Sequence, residues 1–115
     1  MALDPVSGSE VDRAALQRLR DALGPEALSM LADECVRDLT EACALLAAPA
    51  LDAPAIQRIA HKMAGLLGQY ACPSASAFAR GLAHGAPDAA LAARTRLIER
   101  GRACAIELKA LAAIP

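Results

Sequence analysis

Between Pro25 and the middle forties, Leu28, Leu31, Cys35, Leu39, Ala42 and Leu46 recur at steps of three and four residues. That is the period of a single helix face, and it is sustained for about five turns. No strand can place those six side chains on one side. Gly24-Pro25 precedes the stripe, and "APALDAP", with a proline toward each end, follows it. The chain therefore declares one long amphipathic helix, beginning near Pro25 or Glu26, and marks both of its ends.

The same punctuation divides the remainder. Ser9 followed by Asp12 makes a capping-box-like pair, predicting a short first helix that runs to Leu23, stops at Gly24-Pro25 and covers one end of the molecule. A third helix starts at Asp52 or Ala53, with Pro54 tolerated in its first turn. "ACPSASAFARGLAHGAPD" predicts a fourth from about Pro73 to His84, with Ala75, Phe78, Ala79 and Leu82 inward and Gly85 closing it. A fifth is predicted from Pro87 to Ala113, with Leu97, Gly101, Cys104, Leu108 and Leu111 as its seam. In that seam Gly101 lets a neighbouring helix come close. Short connections favour antiparallel neighbours. The expected fold is thus all-α: an antiparallel up-down four-helix bundle with a short additional N-terminal helix. Residues 1–8 are expected to be loose and 9–115 to form one domain.

Composition supports this and narrows the functions open to the chain. Hydrophobic residues make up 56% of the 115, yet Tyr70 and Phe78 are the only aromatics. The core must then be built from aliphatic seams. A net charge of −1 and so few stacking rings argue against nucleic acid as a partner. No run of about 18 apolar residues suggests a membrane span, and the acidic start lacks the regions of a signal peptide; a cytoplasmic protein is expected. Cys35, Cys43, Cys72 and Cys104 lack zinc-site spacing and are expected to be small core residues. No metal site is expected.

The third helix contains "RIAHKMAGLLGQY", in which two glycines stand near one histidine. Each glycine in a helix interior costs about 1 kcal/mol relative to alanine. With Ile56 at zero on a helical wheel, Ile59, Ala60, Met63, Leu67 and Tyr70 lie within about 60° of one direction, the core face. His61 falls at about 140°, Gly65 at about 180° and Gly68 at about 120°, with Gln57, Arg58, Lys62 and Gln69 completing that side. An exposed helical histidine is most often just a solvated polar residue. Flanked by two glycines, this one stands in a clearing that another macromolecule could enter.

"IAHKMAGLLGQYACPSASAFARGL" resembles the signature segment of histidine-containing phosphotransfer (HPt) domains, through Ala60-His61, Lys62, Gly65 and Gly68. The specific match covers about a quarter of the chain. Two positions depart from the family pattern: Ala64 stands where a lysine is common three residues after the histidine, and Ala71 where a glycine is common ten residues after it. The resemblance implies that residues 9–115 form an HPt-like domain of a two-component phosphorelay. His61 would accept a phosphoryl group from a receiver-domain aspartyl phosphate and pass it to another receiver. Lys62 becomes the candidate for stabilising the phosphoryl group, and Gln57, Arg58, Gly65, Gly68 and Gln69 the docking surface. Gln57 and Gln69 are also candidates for orienting the imidazole.

The implied partners are response-regulator receiver domains and a hybrid histidine kinase, met by a monomer. No cofactor is expected on this chain, the Mg²⁺ belonging to the receiver. Without a glycine-rich phosphate loop or any ATP-binding motif, the chain would be a phosphocarrier and not a kinase. The alternative is a related bundle that binds or sequesters a receiver without chemistry. At the end of the fourth helix, His84 is read as a residue suited to the helix dipole, and Arg94, Arg96, Arg100 and Arg102 as a solvated face.

Overall fold

The structure is a computed structural model and describes residues 9–113. The expectation of a loose segment at residues 1–8 lies outside the described residues, as do the last two residues of the expected domain. Six α-helices and no strand occur among the described residues: α1 (Arg13–Leu23), α2 (Pro25–Leu46), α3 (Ala53–Gln69), α4 (Pro73–His84), α5 (Pro87–Ala92) and α6 (Arg94–Ala112). None of these helices is long and apolar enough to cross a membrane.

Prolines open four of the helices, at Pro25, Pro54, Pro73 and Pro87, where the missing N–H would have had no intrahelical partner. The start of α1 departs from expectation. Its N-cap is Asp12, whose carboxylate accepts from the Ala15 amide at 3.1 Å. Ser9 takes no part in that cap because its hydroxyl donates to the Glu107 carboxylate on α6. Glu107 also accepts from the amides of Glu10 (2.7 Å) and Val11 (3.3 Å), binding residues 9–11 to α6. Burial raises the Glu107 pKa, but these hydrogen bonds outweigh burial and hold the carboxyl below its ordinary value.

The predicted single helix from Pro87 to Ala113 is two helices. The chain leaves helical geometry at Ala93 (φ −97°, ψ 5°) and re-enters it at Arg94, whose guanidinium donates to the Ala48 carbonyl at 3.2 Å. The break has a packing cause: α5 lies against α3, whereas α6 runs along α2. One straight rod cannot follow both directions. An alanine-rich sequence gives no local sign of such a break.

The end of α3 also lacked a sequence signal. Cys72 N–H bonds the Leu67 carbonyl at 2.8 Å, the six-to-one bond of a Schellman motif. The residue that must be left-handed for this turn is Ala71, at φ 69°. Glycine usually occupies such a position, since alanine there costs roughly 1–2 kcal/mol. Ala71 is held in part by its carbonyl, which accepts from Asp12 N–H at 2.7 Å.

The core is aliphatic, as the composition requires. Leu28, Leu39, Leu46, Ile56, Met63, Leu67, Leu97 and Leu108 are its largest fully buried side chains. All four cysteines are buried and free. Burial pushes the Cys35 thiol up to about 12, while a hydrogen bond with Cys72, followed by burial, raises Cys104. Phe78 is half-buried, with the Arg100 guanidinium 5.1 Å from its ring centre. Gly101 has no room for a side chain: a Cβ there would lie 2.7 Å from Met63 Cε and 2.8 Å from Cys43 Sγ. The thinnest dimension of the molecule is 19 Å, roughly two helix diameters. Every helix consequently keeps an outer face, and that of α3 carries His61.

Candidate functional site: the His61 face of α3

α3 buries Ile56, Ala60, Met63, Ala64 and Leu67 and exposes Arg58, His61, Lys62, Gly65, Gly68 and Gln69. Ile59 and Tyr70, assigned above to the core face, are half-buried. Burial also raises the Tyr70 pKa. Ala64 is the informative member. It lies at about 80° on the wheel, beside the sector assigned to solvent, yet it is only 4% exposed. The element covering it is α4.

α3 and α4 form the most extensively packed helix pair in the molecule. Two sets of hydrogen bonds fix their antiparallel register. Ser76 Oγ, itself buried, donates to the Ala64 carbonyl at 2.7 Å. The Gln57 amide donates to the carbonyls of Leu82 (3.0 Å) and Gly85 (2.9 Å). The last carbonyls of a helix have no intrahelical donors, and Gln57 supplies two to the end of α4. This half-buried residue, expected on a docking surface or orienting an imidazole, therefore ties two helices together with its NH₂ group.

Gly68 likewise has a packing role that the wheel does not contain. A Cβ there would stand 3.0 Å from Ser76 Oγ, so bare backbone lets α4 lie close. Gly65 differs: nothing comes within 4 Å of where its Cβ would be. Of the two glycines, only Gly65 faces open space, one turn from His61 and on the same ridge. A third bare position, Gly81 of α4, is equally open. It shares a stripe of exposed residues with Ala77 and His84.

The seam brings two histidines together. The His61 and His84 ring centres are 5.8 Å apart, their planes inclined at 83°, edge to face. Gln57, Arg58, His61, Ala83 and His84 line a shallow depression of about 420 Å³. His84 was assigned to its own helix terminus, and it does lie in the last turn of α4 before Gly85. Its proximity to His61 could have been found by folding the sequence as an antiparallel hairpin about Ala71, which sets residue 61 opposite residue 81, within one turn of 84. Lys62 is exposed but is not part of the depression. Gln69 lies eight residues beyond His61, about 12 Å further along the helix axis.

Arg100 is drawn to Glu10 at 2.9 Å, the sole ion pair among the described residues. That pairing raises the Arg100 pKa, chiefly through the hydrogen bond to the carboxylate. It also corrects the reading of Arg100 as part of a simple solvated face. Arg58 has no such commitment among the described residues. No group of three or more metal-ligating side chains gathers there. The groove between α2 and α6, about 320 Å³ and lined by Val36, Leu39, Cys43, Ala105 and Ile106 among others, is mostly apolar, and its cysteine, Cys43, is buried. The His61 face thus combines an accessible imidazole, a second imidazole, a guanidinium and open backbone. It has no cleft to exclude water, so a partner surface must complete it before water-sensitive chemistry can proceed. No family model, curated protein or solved structure matches the chain.

Proposed function

We propose that this chain is a histidine phosphotransfer protein of a two-component phosphorelay, with His61 as the phosphoryl acceptor. The observation that carries this reading is an exposed imidazole in the middle of α3 with nothing within 4 Å of the missing Gly65 side chain. A receiver domain could bring an aspartyl phosphate up to such a face without meeting a side-chain ridge. In this reading α2, α3, α4 and the broken α5–α6 rod form an antiparallel up-down four-helix bundle, with α1 as the additional N-terminal helix. The chain works as a cytoplasmic monomer, taking phosphoryl groups from one receiver, including that of a hybrid histidine kinase, and giving them to another.

The reaction follows from the residue types. Histidine can present a neutral nitrogen nucleophile near neutral pH. Nε2 attacks phosphorus in line, forming the N–P bond as the O–P bond to the receiver aspartate breaks. The carboxylate leaves with the electron pair, and Nδ1 keeps its proton. Such transfer depends on positioning and charge neutralisation. Mg²⁺ and most of the catalytic groups would come from the receiver. Transfer onward is the same displacement reversed.

Incubation with a radiolabelled phospho-receiver tests this reading. Acid-labile, alkali-stable label should appear on the chain, disappear in His61→Gln and persist in His84→Gln. Receiver binding without label would favour the non-catalytic alternative, a sequestering protein. Neither binding nor label, with any receiver tried, would sink the phosphorelay assignment.

A further inference from the structure

A phosphoryl group on His61 needs cationic or N–H donors for its oxygens, and the sequence suggests only Lys62. The geometry of α3 argues against that choice. A residue one position on projects about 100° away, and Lys62 does not line the depression that His61 lines. Nor can position 64, three residues on, supply such a group. Ala64 is 4% exposed beneath α4, and its carbonyl is bonded to Ser76. A long cationic side chain there would have to unseat α4.

Two other groups occupy the right place. Arg58 lies one turn before His61, on the same ridge, exposed and in the same depression. Across the seam His84 presents a second imidazole 5.8 Å away, centre to centre. A phosphoryl group on a ring nitrogen extends beyond the ring edge, which brings its oxygens within side-chain reach of a neighbouring ring at that separation. Imidazole N–H and guanidinium N–H are both good donors to anionic oxygen. Arg58 and His84 come from different helices, and the Gln57 bonds to Leu82 and Gly85 hold those helices in register beside the site.

We propose that His84 and Arg58 bind the oxygens of the phosphoryl group carried by His61, His84 through an imidazole N–H and Arg58 through its guanidinium. This rests on His61 being the acceptor, but the structural claim concerns His84, which sequence reading confines to capping a helix. His84 is then a catalytic residue that contacts the reacting group, and Lys62 is dispensable.

Potassium phosphoramidate allows a test without any receiver. Its P–N bond breaks as His61 Nε2 bonds to phosphorus, and the nitrogen leaves as ammonia. The full chain, His84→Ala, His84→Lys, Arg58→Gln and Lys62→Gln are phosphorylated in parallel and followed by ³¹P NMR. His84→Ala and Arg58→Gln should each slow phosphorylation of His61 by about tenfold, the effect of one charge-assisted hydrogen bond. His84→Lys should recover most of the loss, and Lys62→Gln should match the parent chain. Long-range ¹H–¹⁵N spectra should show the His84 ring nitrogens shifting once His61 is phosphorylated. Circular dichroism checks that the variants remain folded; because His84 is exposed and terminal on α4, they are expected to be.

Rates within about twofold of the parent chain in both His84→Ala and Arg58→Gln, below the loss of one such bond, would overturn the proposal. So would unshifted His84 nitrogens, or phosphoryl groups landing on His84 itself. Failure of every receiver to transfer, with the phosphoramidate pattern intact, would instead refute the phosphorelay and leave the oxygen site standing.

Discussion

Gly65 and Gly68 occupy the same helix three residues apart, and the structure assigns them opposite responses to one added methyl group. Alanine in place of glycine in a helix interior stabilises by about 0.8–1.0 kcal/mol. At Gly65 nothing lies within 4 Å to oppose the new Cβ, so Gly65→Ala should realise the full gain. For a domain of 115 residues that is a rise of roughly 3–4 °C in Tm. At Gly68 the Cβ would lie 3.0 Å from Ser76 Oγ. That oxygen has little freedom, being bonded to the Ala64 carbonyl at 2.7 Å in a buried position. Displacing it forfeits a hydrogen bond worth about 1 kcal/mol, which cancels the propensity gain. Gly68→Ala should therefore melt at or below the parent temperature, and adding Ser76→Ala should restore room for the methyl. Thermal and urea unfolding monitored by circular dichroism measure all four proteins. Equal stabilisation at both glycines, or none at Gly65, would refute this account of the α3–α4 seam. In the functional arm, Gly65→Gln should leave the helix intact while slowing transfer from a phospho-receiver, because it refills the clearing. Unchanged transfer would remove the reason for glycine at that position.

Two further perturbations examine the rest of the frame. Gln57→Leu removes both side-chain donors from the end of α4 and should destabilise by about 1–2 kcal/mol, with faster amide exchange around Leu82 to Gly85; stability equal to that of the parent would show the tie to be idle. Glu107 is held below its ordinary value of 4.5, so the unfolded chain binds its proton more readily than the folded one. Its contribution is present in full above that ordinary value and is lost as pH falls through the lower, folded one. Urea titrations across this acid range should show a smaller stability loss in Glu107→Gln than in the parent, and identical slopes would count against the role of Glu107 in fastening the N-terminal segment.

The parts of this structure that could be read from sequence are those whose cause is local. The stripe from Leu28 to Leu46 and the prolines at helix starts specify where helices lie, because period and backbone chemistry act within a few residues. The exposure of His61 follows for the same reason. What escaped was set across elements. Ser9 looked like a cap until Glu107, 98 positions away, took its hydroxyl. Ala93 breaks a rod because α3 and α2 draw its two halves in different directions. Ala71 adopts a left-handed turn although its residue type disfavours it, since the surrounding bonds compel it. At the candidate site, a wheel drawn for α3 alone puts Gln57 and Gly68 on the solvent side, and Gly68 is exposed there while Gln57 is half-buried. What the wheel does not contain is α4 along that edge, meeting Gln57 through hydrogen bonds and Gly68 through bare backbone. The same omission separated His61 from His84.

The crossing at Gly101 bears on what happens when something presses on His61. Met63, two residues on and turned to the opposite side of α3, rests against α6 where that helix has no side chain at all. Met63 is a flexible side chain, but its thioether end already fills the space that a side chain at position 101 would take, so α3 has little room to move toward α6 without displacing Met63 or Cys43.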